Sequence, residues 1–230
     1  PRVPSFPGVD HAKVVRYDQV LSGAVRVGAK VAVIGAGGIG VDMSHFLAEE
    51  PHDGSAADLD DWMAHWGVGD PSLHRGGLME KKARTPLREV WLLQRKSTAI
   101  GRGLAKTSGW AHRAVLKDSG VHLVPGVSYD KVDDAGLHIT VTSASGEVRS
   151  QVLDVDHVVL CAGQESVRAL HDSLTDPAVV DGAASADPAV LDVAAARGPR
   201  RVHLIGGADV AAELDAKRAI EQGTRVAAAL

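Results

Sequence analysis

Val31-Ala32-Val33-Ile34-Gly35-Ala36-Gly37-Gly38-Ile39-Gly40 decides how this chain is read. Four apolar residues after Lys30 form a buried-strand pattern, the glycines form a turn, and Val41–Glu50 continues with helical character. That order is the dinucleotide-binding fingerprint GxGxxG. Gly35 permits the tight turn, Gly37 lets the backbone approach a pyrophosphate, and Gly40 lets the helix lie close to the strand. A pyrophosphate placed there meets unpaired N–H groups at the positive end of the helix dipole. Ala36, Gly38 and Ile39 complete the expected cradle. The other reading of the turn is a Rossmann-like glycine bend without a ligand.

Working outward, residues 1–24 open with a proline-rich stretch and a short helix near Tyr17–Gly23. The opening residues read as a linker. Residues 51–88 carry scattered Pro and Gly with Trp62 and Trp66, too long for an ordinary connection. They read as an insertion with a short helix at Leu59–Trp66. Glu89–Gln94 is the second strand, and Val121–Val124 a third parallel one. Ser128–Val132, Leu137–Thr142 and Val148–Val152 read as a small antiparallel meander, and Asp156–Gly163 as a further buried strand ending in a glycine turn. Residues 166–200 form a connector. Arg201–Gly207 reads as a strand, and Asp209–Leu230 as a helix whose Ala212, Ala216, Ala219, Gly223, Val226 and Leu230 make a flat apolar face. The fold class is therefore α/β. A Rossmann-like domain spans 25–165, and a separate strand and helix follow the connector at 201–230.

Composition narrows the function classes. A chain of 230 residues with 45% hydrophobic and 23% charged residues is that of an ordinary globular protein. The net charge of -4 gives no reason to expect nucleic acid or a membrane as partner. Cys161 is the only cysteine, so neither an intrachain disulfide nor an all-cysteine cluster can form. A cytoplasmic location is the matching expectation. The eleven histidines show no metal-ligand spacing, no metal site is expected, and no residue is assigned a catalytic role.

Cofactor choice is read at the end of the second strand. NAD sites place a carboxylate there for the ribose hydroxyls, whereas this strand ends in Gln94-Arg95-Lys96. A guanidinium and an ammonium side by side suit a 2′-phosphate, which points to NADPH rather than NADH. Arg102 and Lys106, in the loop Gly101–Arg113, are further candidates for a cofactor phosphate, and Thr107 for capping the helix that follows. The GxxxxGK[ST] spacing of a P-loop is absent, which excludes the ATPase reading. At Gly206-Gly207-Ala208-Asp209 a second glycine-to-helix junction places Gly207 and Asp209 as either ligand contacts or an N-cap.

Several of these motifs occur together in one known family. Pro1-Arg2-x-Pro4, Gly8-Val-Asp10-His11, the GAGGIG turn, Leu93-Gln94-Arg95-Lys96, Gly103-Leu-Ala-Lys106-Thr107-Ser-Gly109-Trp110 and Cys161-Ala-Gly163-Gln164-Glu165 carry the likeness, with Gly206-Gly207-x-Asp209 through Ile220. Together they resemble the C-terminal region of the bacterial NADPH-dependent 2,4-dienoyl-CoA reductases, old-yellow-enzyme-like flavin and iron–sulfur oxidoreductases. The resemblance implies an NADPH domain at 25–165 that passes hydride to FAD, with 1–24 and the C-terminal 201–230 as returning pieces of a second, FAD-type α/β domain. Electrons would then reach FMN through a 4Fe-4S cluster, for fatty acid β-oxidation. It places Gly163, Gln164, Gly207 and Asp209 at cofactors, the last two beside the flavin. The barrel, the cluster cysteines and a second fingerprint have no counterpart here. The expectation is that this polypeptide binds NADPH, holds FAD poorly and reduces no dienoyl-CoA by itself. Two alternatives stay open: a trimethylamine-dehydrogenase-like nucleotide region, and a non-catalytic module that kept the fold.

Overall fold

The computed structural model describes residues 1–49, 59–83, 85–175, 202–212 and 216–230, which fall into two compact units, Pro1–Ala162 and Gly163–Leu230.

The first unit is built on a five-stranded parallel sheet. Its strands are β1 (Val14–Arg16), β2 (Lys30–Ile34), β3 (Glu89–Gln94), β4 (His122–Pro125) and β8 (His157–Leu160), in the order β1-β8-β2-β3-β4. A smaller antiparallel sheet consists of β5 (Val127–Asp133), β6 (Gly136–Thr142) and β7 (Val148–Leu153) in sequential order. The apolar run in β2 follows from burial on both faces. Val31 and Val33 point into one core with Val41, Met43 and Leu47, while Ala32 and Ile34 point into another with Leu137, Ile139 and Leu153. A strand covered on both sides needs no polar alternation. Each fully buried aliphatic side chain contributes about 1.5–3 kcal/mol.

Helices cover one face of the parallel sheet and the meander covers the other. Helix α1 (Tyr17–Leu21) follows β1 directly, and α2 (Gly38–Ala48) follows the glycine turn and packs on β2 and β3. Helix α3 (Leu59–Trp66) lies in the insertion, and α4 (Gly109–Asp118) packs against α2. His65 fixes the insertion. Its Nε2 lies 2.6 Å from the Asp118 carboxylate at the end of α4, and its Nδ1 lies 3.2 Å from the Lys82 carbonyl oxygen. Residue 50 of the expected helix and residues 51–58 and 84 of the expected insertion lie outside the described residues.

Strand β1 was not anticipated. Three residues, VVR, are too few to show a period, and they become a strand only by pairing with β8, Val14 opposite Val158. The first thirteen residues run along the meander. The Pro7 carbonyl accepts the Val132 N–H at 2.9 Å, and Phe6 meets Tyr129 with ring centroids 6.1 Å apart. Arg2 donates through Nε, at 2.9 Å, and Nη2 to the Ala162 carbonyl oxygen just past β8.

The second unit holds α5 (Ala169–Thr175), a 3-10 turn at Gly206–Ala208 and α6 (Ala216–Ala228). Here two expectations are corrected. Val202–Ile205 is not a strand, because a strand exists only through a hydrogen-bonded neighbour and no described residue supplies one. The described helix starts at Ala216, so Asp209 is not its N-cap; it closes the 3-10 turn instead. Of the expected flat helix face, Ala219, Gly223 and Val226 are half-buried, whereas Ala212 and Leu230 lie outside the helix and are exposed with Ala216. Gly223 lies against the Ile205 side chain, and a Cβ on Gly206 would stand 3.1 Å from that of Ala219. Residues 176–200 of the expected 166–200 connector and residue 201 of the expected last strand lie outside the described residues.

Candidate dinucleotide site

The chain runs from β2 outward through β3 to β4 and returns to β8 on the other side of β2. Strand order therefore reverses between β2 and β8. In open α/β sheets a crevice forms beyond the carboxyl ends of the strands at such a reversal. Gly35 stands at that point. Its φ is +107°, and a Cβ there would lie 2.4 Å from the Cys161 carbonyl oxygen at the end of β8. Gly40 is required by the helix, since its Cβ would lie 1.7 Å from the Gly35 carbonyl oxygen.

Gly37 differs from both. It is the N-cap of α2 with φ -78° and ψ -174°, a conformation any residue adopts, and a Cβ there would meet nothing within 4 Å. The same open space lies beside Gly38, and Gly37, Gly38 and Ile39 are exposed. Nothing in the protein's own packing demands glycine at 37. The first bond within α2 runs from the Val41 N–H to the Gly37 carbonyl at 3.0 Å. The amides of Gly38, Ile39 and Gly40 are thus left without helical partners, as at any helix start. An open cradle of amides beside a helix N-terminus has the donor set a pyrophosphate needs.

Strand β3 delivers the basic pair to the same end of the sheet. Ile34 pairs with Leu93, and the Gly35 N–H donates to the Leu93 carbonyl at 3.0 Å. The glycine turn is therefore hydrogen-bonded to the strand that leads into the Arg95–Lys96 loop. Arg95 and Lys96 are exposed, as are Arg102 and Lys106 further along the loop between β3 and α4. None of the four has an acidic partner among the described residues. Tyr129, on β5 within the expected meander, lies against this loop. Its hydroxyl donates to the Leu93 carbonyl at 3.4 Å, and burial pushes its pKa up to about 12 despite the opposing charge of Arg95.

The remaining candidates divide. Arg113 folds back to donate to the Gly101 carbonyl at 3.0 Å, holding the loop rather than facing out of it. Thr107 caps nothing. The N-cap of α4 is Ser108, without a side-chain bond, and the Thr107 carbonyl accepts the Trp110 indole N–H at 3.0 Å. Cys161 is the buried filler that was expected, and burial raises its thiol pKa to about 12. Gly163, with φ +106°, and Gln164 open the second unit. Within that unit Gly207 is exposed. The Asp209 carboxylate accepts from Gln222 Nε2 at 2.9 Å and lies 3.9 Å from Arg168. Gln222 Oε1 takes the Gly206 N–H at 2.7 Å, so one amide side chain ties the 3-10 turn to α6. Among the described residues no group of His, Cys, Asp or Glu converges to hold a metal, and no helix is long and apolar enough to cross a membrane.

Residues 1–182 match the family model described as pyridine nucleotide-disulphide oxidoreductase. Among solved structures, 6-hydroxypseudooxynicotine amine oxidase from Pseudomonas geniculata N1 superposes with a TM-score of 0.56 at 16% identity, over 96% of this chain and 25% of the oxidase. A complex of 2-naphthoyl-CoA reductase with 2-naphthoyl-CoA gives 0.51 at 20% identity, over 75% of this chain and 20% of the reductase. The chain thus spans about a fifth to a quarter of the length of these two proteins, and at such identities the likeness concerns the fold.

Proposed function

We propose, from the premise that the chain belongs to the pyridine nucleotide-disulphide oxidoreductase family, whose members bind FAD and NAD(P)H, that it is the NADPH-binding module of a flavin oxidoreductase. The observation that carries the reading is the pairing of an open glycine cradle with two exposed cations, without acidic partners among the described residues, on the neighbouring strand end. Gly35, Ala36, Gly37, Gly38, Ile39 and Gly40 would hold the pyrophosphate. Arg95 and Lys96 would hold the 2′-phosphate, with Arg102 and Lys106 adding positive charge along the same loop. When bound, NADPH supplies a hydride to the flavin. The chain's own part is to bind and orient it. The Gly35 N–H bond to Leu93 sets the distance between cradle and basic loop, and the buried β2 and β8 make a rigid floor.

The finer assignment rests on the motif resemblance. In that reading the parent enzyme reduces 2,4-dienoyl-CoA, with FAD, FMN and a 4Fe-4S cluster held largely by other parts of a longer polypeptide. Gly163 and Gln164 would then contact a cofactor, and Gly207 and Asp209 would border the flavin. A module that kept the fold without the ligand would need a filled cradle, and the space beside Gly37 and Gly38 is open.

Calorimetric titration with NADPH and NADH side by side tests the reading, and NADPH should bind more tightly. The Arg95→Ala, Lys96→Ala double variant should weaken NADPH by roughly tenfold or more, since charge-assisted bonds are worth about 1.5–3 kcal/mol each, and leave NADH within about twofold. Equal loss for both nucleotides would sink the 2′-phosphate assignment. No binding of either would favour the interaction-module alternative.

A further inference from the structure

We infer that Gln94 is a positioning residue that folds the Arg95–Lys96 loop into shape for a 2′-phosphate, and through that loop sets the choice between NADPH and NADH. The inference rests on the nucleotide reading above.

Gln94 is the last residue of β3 and is only partly exposed. Its side-chain Nε2 donates to the Lys96 carbonyl at 2.9 Å and to the Thr98 carbonyl at 2.7 Å. One amide group therefore gathers two backbone carbonyls of the segment that follows it. The Lys96 carbonyl also accepts the Gly126 N–H at 3.0 Å. On the other side of Arg95, the Leu93 carbonyl takes the Gly35 N–H at 3.0 Å and the Tyr129 hydroxyl at 3.4 Å. The backbone is tied down immediately before and immediately after Arg95, while the Arg95 and Lys96 side chains stay exposed.

The chemistry of the position explains why an amide stands there. Two carbonyl oxygens need two N–H donors on one nitrogen, which the Gln side chain supplies at this reach. A carboxylate would place an acceptor against two acceptors and would neutralise the basic pair beside it. Gln94 is thus not a counterpart of the acidic residue that accepts ribose hydroxyls in NAD sites, because its donors are spent on the loop. A loop folded before the ligand arrives loses little freedom on binding, so its cations act at full strength.

The test replaces Gln94 by Met, which keeps length and neutrality and removes both donors. Expected is a loss of about tenfold in NADPH affinity with NADH within about twofold, so that the preference ratio collapses. In the Arg95→Ala, Lys96→Ala background the same replacement should leave the ratio where it stands, because Gln94 acts only through those two cations. Gln94→Ala serves as the second variant, since truncating a partly exposed side chain leaves the buried Leu92 and Leu93 in place. A folded Gln94→Met chain that keeps its NADPH-to-NADH ratio, or loses both nucleotides alike, overturns the inference and leaves the 2′-phosphate reading standing. A wild-type chain without preference for NADPH overturns both.

Discussion

Two glycines three residues apart hold the same motif together for different reasons, and substitution separates them. A side chain at Gly40 would drive into the Gly35 carbonyl, so the cost falls on the fold. A side chain at Gly37 would enter open space in an ordinary backbone conformation, so the cost falls on whatever occupies that space. Gly40→Ala should therefore destabilise the protein by about 1–3 kcal/mol, the usual cost of overpacking, visible as a lower urea midpoint. Gly37→Val should cost no more than about 1 kcal/mol, the usual effect of a poorer N-cap residue, and abolish binding of both NADPH and NADH. Full binding by a folded Gly37→Val chain would mean that no pyrophosphate lies against this turn.

At the scale of elements, legibility followed burial and length. Strands β2 and β3 were readable because their apolar runs are continuous and end at glycine or at charge, and the meander because its three segments are separated by turn residues. Helix α3 was readable from its tryptophans and acidic start, even inside an irregular stretch. What failed depended on partners far along the chain. Strand β1 exists only by pairing with β8, and the candidate strand before Gly206 has no described neighbour. The cap expected at Thr107 was displaced by one residue, because the Ala105 carbonyl takes the Gly109 N–H and the loop closes there. Of the candidate site, the residue types were legible and the scaffolding was not. Nothing in the sequence tells that Gln94 turns back on Lys96 and Thr98, or that Tyr129 reaches Leu93. His65 belongs to the same class. It is 8% exposed with oxygen partners at both ring nitrogens, joining the insertion to the end of α4. His65→Leu should cost about 1–3 kcal/mol by removing buried hydrogen bonds, read as a fall in the urea midpoint. An unchanged midpoint would show that the insertion is held by Lys81 and Asp118, 3.4 Å apart, without it.

For the whole molecule, the question is which of two dinucleotides the one fingerprint serves. A flavin dinucleotide and a nicotinamide dinucleotide both present a pyrophosphate, and both are held by a glycine turn opening a helix. This chain has one such turn, Gly35–Gly40, and its neighbouring strand end carries cations in place of the carboxylate that a ribose hydroxyl favours. The other glycine junction, at Gly206–Asp209, opens a 3-10 turn rather than a helix, and its Gly206 amide and Asp209 carboxylate are engaged by Gln222. A turn whose polar groups already have internal partners gains less from a ligand, because each new bond must replace an existing one. The chain on its own should accordingly purify without flavin absorbance and should not retain added FAD through desalting, while still binding NADPH. Flavin retained at one per chain, and displaced by Gly37→Val, would assign the cradle to FAD. The cations of the β3 loop would then need another explanation, and the NADPH titration would be reread as competition for a single site.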